Sequence, residues 1–237
     1  MCTVVVLVRR GHPYPVLLAA NRDERLNRSW DPPAIYWPGV VGGRDRTAGG
    51  TWMAINRHGV VAAILNRAGT LGPVFGKRSR GELPLLALTH ASARDAAAAI
   101  GELDAGEWRG FNMVVADRSG AVFVRGLGHG KPDVEALPEG VSMITAYDPN
   151  DLGSPRVARH LPRLQAAEPD GPDDWRGWRA ILSDRAGHAG EQINVVPRGG
   201  FGTASSSFVA IPGQGSPVWL FAAGPPHQAD FEPVQPP

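Results

Sequence analysis

Cys2 is the only cysteine of the sequence and stands directly after the initiator methionine. Initiator methionine is normally trimmed before a small residue, and its loss would leave Cys2 with a thiol and a free α-amine. An α-amine titrates at about 7.7 to 8, so it can take the proton of its own thiol near neutral pH. The thiolate would then attack a carbonyl to give a thioester, and the new ammonium would protonate a leaving amine. Position alone favours a plainer reading, in which a small apolar cysteine begins a buried strand.

The stretch LLAANRDER, residues 17–25, bears on the choice because an apolar run passes straight into Arg22, Asp23, Glu24 and Arg25. If residues 2–8 and 16–21 pair as antiparallel strands, the end of the second returns beside the start of the first. Asn21, Arg22 and Asp23 then lie close to Cys2. A carboxylate there can hold the α-amine, and an arginine can lower the thiol pKa or bind a substrate carboxylate. A surface ion pair between Arg22 and Asp23 explains the same residues, and Glu24 and Arg25 read as solvated neighbours.

Other polar residues are less distinctive. Asn66 ends the run VVAAILN and is a candidate oxyanion donor or a strand-terminating asparagine. Trp52, after Gly49 and Gly50, can wall a pocket or fill a core. Ser205, Ser206 and Ser207 begin a late strand and fit polar ligand contacts or simple alternation. The seven histidines never stand at i, i+4 and have no second cysteine near them, so a metal cluster has no local signature. GLGHGKP and GGRDRTAGG do not complete a phosphate-binding loop and read as turns. No G-x-S-x-G elbow is present.

The elements that must position these residues follow from periodicity. CTVVVLV with VLLAAN, TWMAIN with VVAAILN, and FNMVVAD with AVFVRG read as three hairpins, hence antiparallel sheets. Ser79 with Glu82 has capping-box spacing before LPLLALTH, and SARDAAAAIGEL is a plain helix. SPRVARHLPRLQAA and DDWRGWRAILSD carry apolar stripes at helical spacing. SSSFVAI and PVWLFAA return to strands. The class is α/β of the α+β type, with mainly antiparallel sheets in layers. Residues 1–230 read as one domain, and 231–237 as a Pro-rich tail without structure.

Composition bounds the function. With 24 basic against 23 acidic side chains, the chain has no broad field for nucleic acid. The apolar run TVVVLV is too short for a membrane span or a signal peptide. One cysteine excludes an intramolecular disulfide, and a cytoplasmic location fits. Oligomeric state has no signature.

MCTVVV, LLAANRDE, GGTW at 49–52, RGEL at 80–83, GFN at 110–112 and GT at 202–203 occur in order over nearly the whole chain. Together they resemble the NRDE family, also called the transport and Golgi organisation family. That family is similar at its start to the N-terminal-nucleophile cysteine amidases that cleave penicillin V, bile salts and ceramides. The resemblance implies a four-layer αββα sandwich, with Cys2 as nucleophile and Asp23 as the partner that holds its amine. It also shows departures. Ala20 stands where the amidases carry an arginine, Thr145 and Ala146 where an oxyanion asparagine is expected, and Ala204 where relatives often carry arginine.

Two functions stay open. One is an amidohydrolase acting on a small amide or acyl compound, with Cys2, Asp23 and Asn66 catalytic, Asn21, Arg22 and Trp52 binding substrate, and no cofactor. The other is a non-catalytic carrier that holds haem or an apolar lipid or acyl ligand in the same cavity, following the family's link to haem movement and lipid metabolism. Cys2 or a histidine such as His58 would then ligate the iron.

Overall fold

The structure, a computed structural model, describes residues 1–235 and 237. In chain order its first strands are β1 (Thr3–Val8), β2 (Val16–Arg25), β3 (Trp30–Trp37), β4 (Val40–Asp45), β5 (Thr51–Asn56) and β6 (Val61–Asn66). Helices α1 (Leu83–Ala87) and α2 (Ala93–Gly101) follow, then β7 (Phe111–Asp117), β8 (Gly120–Gly126), β9 (Asp133–Ala136) and β10 (Gly140–Ile144). Helices α3 (Pro155–Ala166) and α4 (Arg176–Leu182) precede β11 (Phe201–Ile211), β12 (Val218–Ala222) and β13 (Glu232–Val234).

The strands form two antiparallel sheets, ordered β10-β1-β2-β11-β12-β13 and β3-β4-β5-β6-β7-β8-β9. Alternation along each strand divides its side chains between two interiors. Val4, Val6, Leu18 and Val209 meet Met53, Ile55, Val114 and Phe123 between the sheets. Val5, Leu7 and Leu17 face outward onto Val157, Leu161, Trp178 and Leu182 of α3 and α4. Ala62, Met113 and Val115 of the second sheet pack on Leu83, Ala96 and Ile100 of α1 and α2. The layers are therefore αββα, and a strand covered on both faces, such as TVVVLV, reads as an unbroken apolar run. No helix among the described residues is long and apolar enough to cross a membrane.

All three hairpins form, with Thr3 opposite Asn21, Met53 opposite Ala63, and Phe111 opposite Gly126. The expected turn at GGRDRTAGG is corrected in its first half. Gly42 and Gly43 lie in β4, where a Cβ would overlap Ala54 or the Trp52 ring, and the turn begins after Asp45. Capping at Ser79 closes only a short 3-10 turn, its hydroxyl accepting from the Gly81 N–H. The structureless tail is also corrected. Glu232–Val234 pairs with β12, Pro233 is accommodated because β13 is an edge strand, and the Phe231 ring centroid lies 4.7 Å from that of Phe208. Residue 236 of that segment lies outside the described residues.

Candidate active site

β2 lies between β1 and β11, and its register assembles the site. Thr3 faces Asn21 on one side, while Thr203, Ser205 and Ser206 face Asp23, Arg22 and Asn21 on the other. The register shifts between Thr203 and Ser205, so Ala204 is the extra residue of a bulge. Alternation then sends Asn21 and Asp23 toward the helical layer and Arg22 into the space between the sheets.

On the helical side, the Asp23 carboxylate is fully enclosed. Its Oδ2 lies 3.2 Å from the Met1 α-ammonium and 3.2 Å from Nη1 of Arg156. Its Oδ1 accepts from the Thr203 hydroxyl at 2.7 Å. Arg156, near the start of α3 and 5% exposed, also donates to the Thr3 hydroxyl at 3.1 Å and to the Met1 carbonyl oxygen. One buried carboxylate thus fixes the first residues of the chain against α3 and β11.

Cys2 packs against the inter-sheet core beside this anchor. The Asp23 N–H donates to its Sγ at 3.4 Å, and the thiol donates back to the Asp23 carbonyl at 3.5 Å. Burial pushes the Cys2 thiol up, the Asp23 charge adds to this, and the terminal ammonium and Arg22 oppose it. A thiol raised in this way needs a base to become a nucleophile.

The thiol borders a cavity of about 20 Å³ between the sheets, walled by Val4, Ala20, Met53 and Ala63 with Arg22 and Trp52 at its polar side. This is room for roughly one water. The Arg22 guanidinium stacks 4.2 Å over the Trp52 ring and lies 5.9 Å from that of Trp30. Arg22 and Asp23 do not form the surface pair with each other that is one reading of the sequence. Arg22 has Glu24 at 3.9 Å, whereas Asp23 pairs with Met1 and Arg156.

The other candidates fall differently. Asn21 is spent on structure: its amide donates to the Leu182 and Ile193 carbonyls at 2.9 Å each, and its oxygen accepts from Ser206 at 2.7 Å. It therefore holds the end of α4 with both of its amide N–H groups, and it also lines the cavity. Asn66 ends β6 opposite Phe111, one residue beyond Leu65, which does line the cavity. His58 sits in the turn beyond the far end of β5 from Trp52, so it and Cys2 do not share a cavity.

The remaining shared motifs are braces. A Cβ on Gly50 would overlap the Gly81 carbonyl, so GGTW and RGEL meet backbone to backbone. Arg80 donates to the Thr70 carbonyl at 2.8 Å and the Gly110 carbonyl at 3.0 Å, and burial pulls its pKa down to about 10. Asn112 of GFN donates to the Thr145 and Tyr147 carbonyls at 3.0 and 2.6 Å, holding the segment that leaves β10 beside β1. The Thr145 hydroxyl is buried without a partner among the described residues. Sequence reasoning misses two site residues. Thr203 lies within the GT motif, and Arg156 has as its signal only a charged residue beside the apolar stripe of α3.

The Transport and Golgi organisation 2 family model matches residues 1–151. The Transport and Golgi organization protein 2 homolog of Bos taurus is 33% identical over 114 residues. That match covers 45% of this chain and 40% of the bovine protein. Among solved structures, the N-acylethanolamine-hydrolyzing acid amidase ortholog of Caenorhabditis elegans has a TM-score of 0.63 at 13% identity, covering 99% of this chain and 100% of that one. Penicillin V acylase from Agrobacterium tumefaciens has a TM-score of 0.60 at 14% identity, covering 94% and 83%. The C2A mutant of conjugated bile acid hydrolase from Clostridium perfringens has a TM-score of 0.51 at 13% identity, covering 99% and 97%. At these identities the likeness is one of fold.

Proposed function

The chain belongs to the Transport and Golgi organisation 2 family, and from that premise and the site geometry we propose that it hydrolyses a small amide or related acyl compound through a Cys2 acyl-enzyme. One observation carries the reading: a buried carboxylate, Asp23, holds the terminal ammonium at 3.2 Å while its own backbone touches the Cys2 sulfur. Removal of Met1 makes the amine held by Asp23 that of Cys2 itself. The likeness to the amidase and the acylase supports the reading at the level of fold.

The α-amine takes the thiol proton, and Sγ attacks the substrate carbonyl carbon. The tetrahedral intermediate collapses, the C–N bond breaks, and the ammonium passes its proton to the departing amine. Water, deprotonated by the same α-amine, then attacks the thioester carbon, the C–S bond breaks, and a carboxylic acid and the free thiol result. Asp23, with Arg156 and Thr203 behind it, positions the amine. Trp52 and Arg22 line the substrate side, and Asn66, on the opposite face of β6 from Leu65, is left as a strand-terminating residue. Every step uses groups of this chain.

The test is hydrolysis of a series of acyl p-nitroanilides by protein whose Met1 is shown to be absent. Cys2→Ser, which keeps the fold, is expected to lose nearly all turnover. Turnover equal to that of the parent would overturn the assignment.

A further inference from the structure

Arg22 is the cross-strand neighbour of the nucleophile. Thr3 stands opposite Asn21, so the next pair of positions brings Arg22 beside Cys2, with Cβ atoms about 5 Å apart in such a pair. The side chain is 7% exposed, yet Nη1 is buried with no hydrogen-bond partner among the described residues. Trp52 covers one face of the guanidinium at 4.2 Å, so the donors available to a ligand lie in its plane. At the outer edge, Nη2 has Glu24 at 3.9 Å, beyond hydrogen-bond distance, as its one acidic neighbour among the described residues. Glu24 is also 3.8 Å from Arg28, which is itself paired with Asp45 at 2.6 Å. The guanidinium therefore has a carboxylate near its Nη2 and a buried, unsatisfied Nη1, and the residue lines the cavity beside Cys2. A buried, unsatisfied donor beside a reacting group is an uncommon arrangement that a bound acceptor would complete.

We infer that Arg22 binds an anionic oxygen carried by the substrate close to the scissile carbonyl, so that the site takes acidic acyl compounds in preference to neutral amides. A carboxylate on the leaving amine is the simplest form. In an N-acylated α-amino acid it lies three bonds from the carbonyl carbon, a span that matches neighbouring strand positions. The apolar wall of Val4, Ala20 and Met53 then takes the start of the acyl group. This rests on the hydrolase reading for its chemistry. The anion specificity itself is a property of binding, and binding can be measured without turnover.

The experiment compares N-butyrylglycine with N-methylbutanamide. Met1-free protein is expected to favour the glycine compound in kcat/KM by about tenfold or more, as a charge-assisted hydrogen bond implies. Arg22→Met should bring the ratio near one, and Arg22→Lys should keep part of it. A ratio near one in the parent protein, or one that survives Arg22→Met, overturns the inference. So does an equal loss of kcat on both compounds in Arg22→Met, which would assign Arg22 to the thiolate or the oxyanion. If neither compound turns over, the hydrolase reading fails, and calorimetry on Cys2→Ala decides the inference. Tighter binding of N-butyrylglycine supports it. Equal affinity, or no binding with Nη1 satisfied by an ordered water only, overturns it.

Discussion

Asp23 is held by an ammonium, a guanidinium and a hydroxyl at once, and this makes its role testable by a nearly isosteric change. Asp23→Asn keeps the shape but loses the charge that orients the amine, so kcat should fall by about a hundredfold or more, the usual worth of a positioned base. Intact-mass analysis of the variant must show Met1 removed as in the parent, so that a loss of processing is not mistaken for a loss of catalysis. An unchanged kcat would contradict the role. The proximity of Asp23 to Cys2 was legible in the sequence, because strand pairing returns residue 23 to residue 2. Arg156 was not, because it reaches the site from a helix more than a hundred residues away, and nothing in local spacing reports that contact. The structural work of Asn21 was hidden for a related reason: nothing in local spacing reports that the carbonyls of Leu182 and Ile193 take up its amide.

At the scale of elements, hairpins with clean apolar runs and Gly-containing turns were readable, and strands containing proline or glycine were not. β3 carries Pro32 and Pro33 and survives as an edge strand, where a missing N–H costs little. β4 carries Gly42 and Gly43 because Ala54 and Trp52 press onto its backbone, so residues that read as a turn are packing glycines. The bulge at Ala204 could not be seen either, although it is what lets Thr203 and Ser205 serve opposite faces of β11. The contact between Gly50 and Gly81 gives the prediction at this scale. Gly50→Ala must push the RGEL turn away from β5, and chemical denaturation should show a loss of about 1 to 3 kcal/mol. An unchanged midpoint would mean that the two motifs are not braced against each other.

For the molecule as a whole, the buried His160 on α3 sets a pH limit. One ring nitrogen, Nε2, donates to the Glu191 carbonyl at 2.8 Å, and Nδ1 accepts from Arg163 at 3.1 Å, so the ring is held neutral. Burial is the main cause that lowers its pKa from 6.5 to about 4, and the charges of Arg163 and Arg159 work in the same direction against Asp184. As pH falls below 6.5 the unfolded chain takes the proton before the folded one does. The contribution of this group is therefore complete above about 6.5 and lost progressively down to about 4, up to about 3 kcal/mol in total. Urea denaturation at pH 7 and pH 4.5 should show a smaller difference in His160→Gln than in the parent; equal differences would place the acid sensitivity elsewhere. The layered, mainly antiparallel class was legible from the hairpin runs, whereas the αββα order followed from the resemblance of the motifs and not from any single run. The closure of β13 onto β12 was not legible, because a Pro-rich end carries no pattern of its own.

The most direct test of the central claim is the intact mass of the purified protein after brief incubation with butyryl p-nitroanilide and acid quench. The parent protein is expected to show a mass lacking Met1, and a second species heavier by one butyryl group on Cys2 that Cys2→Ser does not form. Retention of Met1 with no acylated species would contradict it, because the held amine would then belong to a residue that carries no nucleophile.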